Sequence, residues 1–119
     1  MVLASIFVMS AFTKSVQQIG AADVQTVLKG VDSVITPGLP GGVAALDSRA
    51  IPFLVGKEGK SKFSVGVLGQ IGTSRVAAFG HGGYVSADAV KHPGTKQLLL
   101  NLLTWLNHGK TPKVIGSLG

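Results

Sequence analysis

The stretch from Thr95 to Gly109 leaves this chain the least conformational freedom. Leu98, Leu99, Leu102, Trp105 and Leu106 recur at three- and four-residue spacing, which places them on one face of a helix. Leu100 and Leu103 widen that face, so the helix must be covered on more than one side. Thr95, after His92-Pro93-Gly94, supplies an N-cap, and Gly109 suits a left-handed C-terminal cap. The spacing thus predicts a helix over 95–108. Trp105 reads as a core residue whose indole N–H needs one partner.

The cover for this helix lies upstream. Residues 51–55 read as a short strand, with Pro52 near its start or on a sheet edge. Residues 56–60 form a charged turn. Residues 63–69 alternate apolar with small or polar side chains, the pattern of a half-buried strand. Gly72-Thr73-Ser74 turns the chain, and residues 75–79 form a third strand that ends at Gly80-His81-Gly82-Gly83-Tyr84. A shorter helix over 23–34 is expected from Val24, Val27, Leu28 and Val31 on one face, with Asp23 as its cap and Gly30 near its end. Pro37 to Gly42 breaks both periodicities and reads as a loop. Lys113 to Gly116 looks like the start of another strand. The expected fold class is α+β, a small, mostly antiparallel sheet packed by two helices.

The first 22 residues read as a signal peptide or hydrophobic leader, and residues 23–119 as the folded module. Residues 1–12 form an apolar run as long as a signal-peptide core, which is roughly 7–15 residues. It is short for a membrane span, which needs about 20. Gly20 and Ala22 satisfy the small-x-small rule for cleavage after Ala22. No Lys or Arg precedes the run, so the alternative is a first hydrophobic helix or strand of the domain.

Only 13% of the residues are charged, and 17 are glycine. A typical soluble domain has roughly 25% charged residues. Such a surface expects cover from more chain or from a partner. The net charge is +6, but the only tight basic run is Lys57, Lys60 and Lys62, and neither Trp105 nor Tyr84 adjoins it. That argues against nucleic acid, which needs a clustered basic footprint with stacking platforms. It allows a peripheral attraction to anionic membrane. The absence of cysteine excludes disulfides and thiolate metal sites.

No catalytic motif is present. Gly59-Lys60-Ser61 looks like the end of a phosphate-binding loop, but position 54 is Leu54 where that loop needs glycine. His81-Gly82-Gly83 is like the glycine-rich loop that supplies oxyanion N–H groups in esterases, yet no G-x-S-x-G elbow accompanies it. His81, His92 and His108 lack metal-ligand spacing, and no cofactor is expected. His81, Gly82, Gly83 and Tyr84 are the candidates for ligand or partner binding, because flanking glycines let backbone approach a ligand closely. The plainer reading of His81 is a turn residue whose imidazole is hydrogen-bonded at a strand end.

Five stretches carry a resemblance. They are Val27-Leu28-Lys29-Gly30-Val31, Ile51-Pro52-Phe53-Leu54-Val55-Gly56, the strand from Arg75 to Phe79 with its His81-x-x-Tyr84 turn, Leu98 to Leu106, and Thr111-Pro112-Lys113-Val114-Ile115-Gly116. Over residues 24–119 this order resembles the amino-terminal region of the TRP-channel-associated factors, the TCAF-like family. It is also similar to the end of class I glutamine-amidotransferase-like and trehalose-utilisation-type domains. There a strand, a Gly-His turn and an L-x-N-x-x-x-W helix occur in sequence. The resemblance implies the start of a larger amidotransferase-like α/β domain, followed in family members by a flavodoxin-like and an enhancin-like metallopeptidase domain.

It also implies a protein partner, a cold-sensing cation channel whose surface delivery and gating these factors affect. This chain departs from the family in its apolar leader and in stopping as the next strand begins. No catalytic residue of the family has a counterpart in it. The expected function is a non-catalytic protein-interaction module, a fragment of a longer TCAF-like chain. The alternative is a subdomain of a larger secreted enhancin-like metallopeptidase or amidotransferase-like hydrolase, with residues 81–84 forming one wall of its pocket. A third reading is a small secreted carbohydrate-binding protein, which a single Trp supports little. The leader points to a secreted or extracellular chain, the resemblance to a cytoplasmic or plasma-membrane-associated one.

Overall fold

The computed structural model describes residues 18–110. The element order is α1 (Ala21–Val27), β1 (Ala50–Glu58), β2 (Ser61–Ile71), β3 (Ser74–Phe79), two 3-10 turns (Gly82–Val85 and Ala89–Lys91) and α2 (Pro93–Leu106). The three strands make one antiparallel sheet in the order β1-β2-β3, so the fold is α+β.

Each hairpin is closed by two residues, Gly59-Lys60 and Gly72-Thr73. The first of each pair has positive φ, +56° at Gly59 and +60° at Gly72. Tight hairpin turns demand that conformation, and glycine meets it without steric cost. Gly59-Lys60-Ser61 therefore leads into a strand, with no helix N-terminus to face a phosphate. Pro52 sits in β1, an edge strand, where a missing N–H leaves no central ladder bond unmade.

The β1–β2 ladder carries two irregularities. Pro52 pairs with Val67 and Leu54 with Gly66, which leaves Phe53 as an extra residue on β1. Leu54 pairs with Gly66 and Val55 with Ser64, which leaves Val65 as an extra residue on β2. The first bulge lets Phe53 and Leu54 both reach the helix-covered core.

One face of the sheet lies under the helices. Phe53 and Leu68 join Ile19, Val27, Leu98, Leu102 and Trp105 in the main buried cluster, with Ile51, Ala77 and Phe79 packed against it. The expectation of a half-buried β2 needs correction. Val65, Gly66, Val67 and Leu68 are buried in succession. The cause is the segment after the Pro37–Gly42 loop. Val43 N–H donates to Ser64 at 2.8 Å, and the Arg49 carbonyl accepts from Gln70 N–H at 3.0 Å. Between these anchors the chain crosses the second face, where Val43 and Ala44 share a depression with Val67.

Both helices differ from expectation at their ends. The N-cap of α2 is His92 rather than Thr95, because Pro93 is preorganised for the first helical turn. Thr95 is fully buried and clasps the loop, donating to the Ile35 carbonyl (3.2 Å) and accepting from its N–H (3.0 Å). Leu98, Leu102 and Trp105 are buried, but Leu100 is 51% exposed, so α2 is covered on a narrower face than its sequence suggested. The other helix, α1, starts at Gly20 as N-cap and ends at Val27, well short of residue 34. Asp23 lies in its first turn and reaches back to the Gly20 N–H at 2.9 Å. Asn101 Nδ2 donates to the Val27 and Lys29 carbonyls at 2.9 and 2.8 Å, satisfying the open end of α1 from outside. Gly30, with φ +70°, then turns the chain away.

The apolar run at residues 1–12 and the strand start at Lys113 to Gly116 lie outside the described residues. Of the expected leader, Ile19 is buried in the core and Ala21 opens α1.

Candidate functional site

The 3-10 turn Gly82–Val85 gathers the four candidate residues at the end of β3. His81 is its N-cap, and Nδ1 accepts the Gly83 N–H at 2.8 Å. Thr36 Oγ1 stands 3.4 Å from the same nitrogen. With Nδ1 accepting, the ring proton of neutral His81 sits on Nε2. That nitrogen is turned toward Gly38, where an added Cβ would stand 3.0 Å from it. The imidazole thus ties the turn to the 36–38 loop through Nδ1, with Nε2 facing Gly38.

The two glycines behave differently. A Cβ on Gly83 would meet the Thr36 side chain, the His81 ring and the Pro37 carbonyl, so this is a true close approach. Gly82 has nothing within 4 Å of that position. Tyr84 is buried and stacks on Phe79 at 5.0 Å and 25°. Phe79 in turn meets Phe53 edge-on at 5.7 Å and 68°. Burial pushes the Tyr84 phenol above its ordinary value.

Tyr84 also lines a depression of about 420 Å³ between the 28–40 segment and the bulged part of the β1–β2 ladder. Asp32, Ser33 and Thr36 bring polar groups to it, and Leu54 and Val65 supply apolar wall. Sequence reasoning found Tyr84 but not Asp32, Ser33 or Thr36, which are 48 or more residues away in the chain. The Thr95 clasp at Ile35 and the contact of Thr36 with His81 bring that segment home, and spacing carries no sign of either.

The second face of the sheet holds another depression, of about 350 Å³, lined by Val67, Gly69, Ile71, Val76 and Ala78 from the strands. Ile71 is 69% exposed and Val76 39%, and Leu46 in the crossing segment is 92% exposed. The Asp47–Arg49 ion pair, 2.6 Å, lines the same depression. Its hydrogen bonds hold the Asp47 carboxyl below the usual range.

A third cluster joins the helices to β3. Trp105 Nε1 donates to Asp23 Oδ1 at 2.9 Å, the partner its indole required. The Arg75 guanidinium lies 4.9 Å over the Trp105 ring, and Nη1 donates to the Trp105 carbonyl at 2.7 Å. Burial pushes the Asp23 carboxyl up, but the bonds from Trp105 and Gly20 and the charge of Arg75 outweigh it and hold it below its ordinary value. These three residues tie α1, α2 and β3 together. Arg75 and Asp23 were visible in the sequence as a strand start and a helix cap, not as partners.

Among the described residues, no three His, Cys, Asp or Glu side chains group to hold a metal. No helix among them is long and apolar enough to cross a membrane. Comparison of the chain with protein families, curated proteins and solved structures finds no match. The likeness to TCAF-like proteins therefore rests on the quoted motifs alone.

Proposed function

We propose that this chain is a non-catalytic protein-interaction module that engages its partner through the second, open face of its sheet. The observation carrying this reading is the exposed apolar surface of Ile71 and Val76, which line the 350 Å³ depression. Contiguous apolar surface rimmed by charge is what protein contact sites present. The resemblance over residues 24–119 makes a membrane channel the partner to test first.

The test is co-expression with a cold-sensing cation channel in cells. The chain is expected to co-precipitate with the channel and to change the amount of channel at the surface. Ile71→Asp combined with Val76→Asp should lower co-precipitation at least about thirtyfold, since each buried charge carries a penalty above about 1 kcal/mol. Its thermal melt should stay unchanged. Binding that survives the double variant removes the open face from the reading, and an unaltered chain that captures no channel removes the channel. The same cells report location. An intracellular chain is what a cytosolic channel contact requires, and a secreted species starting near Asp23 overturns it.

A further inference from the structure

The depression at Tyr84 carries an inference of its own, independent of the open sheet face. Buried tyrosines ordinarily find a hydrogen-bond partner for the hydroxyl. Tyr84 is 5% exposed, yet its hydroxyl bonds to no described residue. No polar side-chain atom among the described residues is both sealed from solvent and unpartnered. Tyr84 is among the residues that line the depression. The ring itself is held by Phe79, so the hydroxyl is presented from a fixed platform.

The rest of the lining sets the chemistry. Leu54, Val65 and Val34 offer apolar wall, and Thr36 adds a second hydroxyl. Asp32 brings the only charge among the lining residues, and it is negative. A volume of about 420 Å³ falls in the range of small-molecule sites, roughly 300–1,000 Å³. We propose that this depression is a binding site for a small amphipathic amine, with its apolar body against Leu54 and Val65, its ammonium near Asp32 and a hydrogen bond to the Tyr84 hydroxyl. An anionic ligand of the same shape meets a carboxylate and no cation there.

The test is an NMR titration of the full labelled chain with phenethylamine, and with 3-phenylpropionate as the anionic counterpart of similar size. Phenethylamine should give saturable shifts at the Val34 and Val65 methyls and the Thr36 amide. It should bind about fivefold more tightly than the propionate, the scale of one exposed ion pair gained or lost. Tyr84→Phe keeps the stacked ring and should weaken phenethylamine about fivefold, the scale of one hydrogen bond. Asp32→Asn lies on the surface and should erase the preference for the amine without touching the melt. Equal affinity for the two probes, shifts that never saturate, or a Tyr84→Phe variant that binds as well as the original overturns the proposal.

Discussion

The two faces of the sheet are built from the same three strands and end in opposite conditions. On the helix side, Leu68 is completely buried among Phe53, Leu98 and Trp105. Three positions further along the same strand, Ile71 points to the other face and is 69% exposed. Alternation alone makes this contrast possible, since successive side chains on a strand face opposite ways. What decides which face becomes core is the leucine helix, whose apolar stripe can cover one side only. The crossing segment from Val43 to Arg49 shelters the middle of the second face and leaves its end bare. The difference teaches that stability is concentrated on one face and surface available for contact on the other.

Three measurements can break or sharpen that contrast. The largest effect is expected at Leu68→Ala. Removing a fully buried leucine costs about 3 kcal/mol, which for a domain this size lowers the melting temperature by at least about 12 °C. A fall of only a few degrees would mean that the helix side is not the main core.

The next concerns the polar lock behind that core. The Asp23 carboxyl is held below its ordinary value, so the unfolded chain binds that proton more readily than the folded one. Its contribution is present above the usual carboxylate range and is lost as the pH falls through and below about 4. Asp23→Asn should cost about 1 kcal/mol at neutral pH, the difference between a charged and a neutral acceptor, and should flatten the acid limb of the stability profile. Parallel acid limbs for the two chains would show that the Trp105 bond gains nothing from the charge.

The smallest effect is expected on the open face. Ile71→Ser should change stability by no more than about 0.5 kcal/mol, as exposed positions do. A loss of several kcal/mol in chemical denaturation would show that this face is already covered in solution, and the contrast between the faces would fail.

Much of the scaffold was legible because it is local. An alternating run marked the middle strand, short apolar runs at 51–55 and 75–79 marked its neighbours, the stretches 56–60 and 72–74 marked the hairpin turns, and the leucine spacing marked α2. The demand of Trp105 for one partner was legible too, though not that Asp23 would meet it across 82 residues of chain. The helix ends were misplaced. Thr95 and Asp23 are good caps by residue type, but Thr95 gives its hydroxyl to Ile35, and Asp23 sits inside the first turn, with Oδ2 on the Gly20 N–H and Oδ1 on Trp105. The extent of α1 failed similarly, since Asn101 from the other helix closes it at Val27. At the candidate site, the turn at residues 81–84 was visible as a glycine cluster. Its opposite wall was not, because Asp32 and Thr36 arrive through a loop with no periodicity.

The paired bulges at Phe53 and Val65 have a consequence for how this sequence can vary. Each one alone is a shift of one residue, and on a two-residue pleat a single shift turns every later side chain to the wrong face. One lies on each strand, so the second cancels the first, and Ile51↔Leu68 and Gly56↔Phe63 share one frame. The hairpin works like a message with an insertion and its suppressor close together. An insertion or deletion at either position is readable only beside its counterpart on the facing strand, so the two sites are free to change length together and bound when apart.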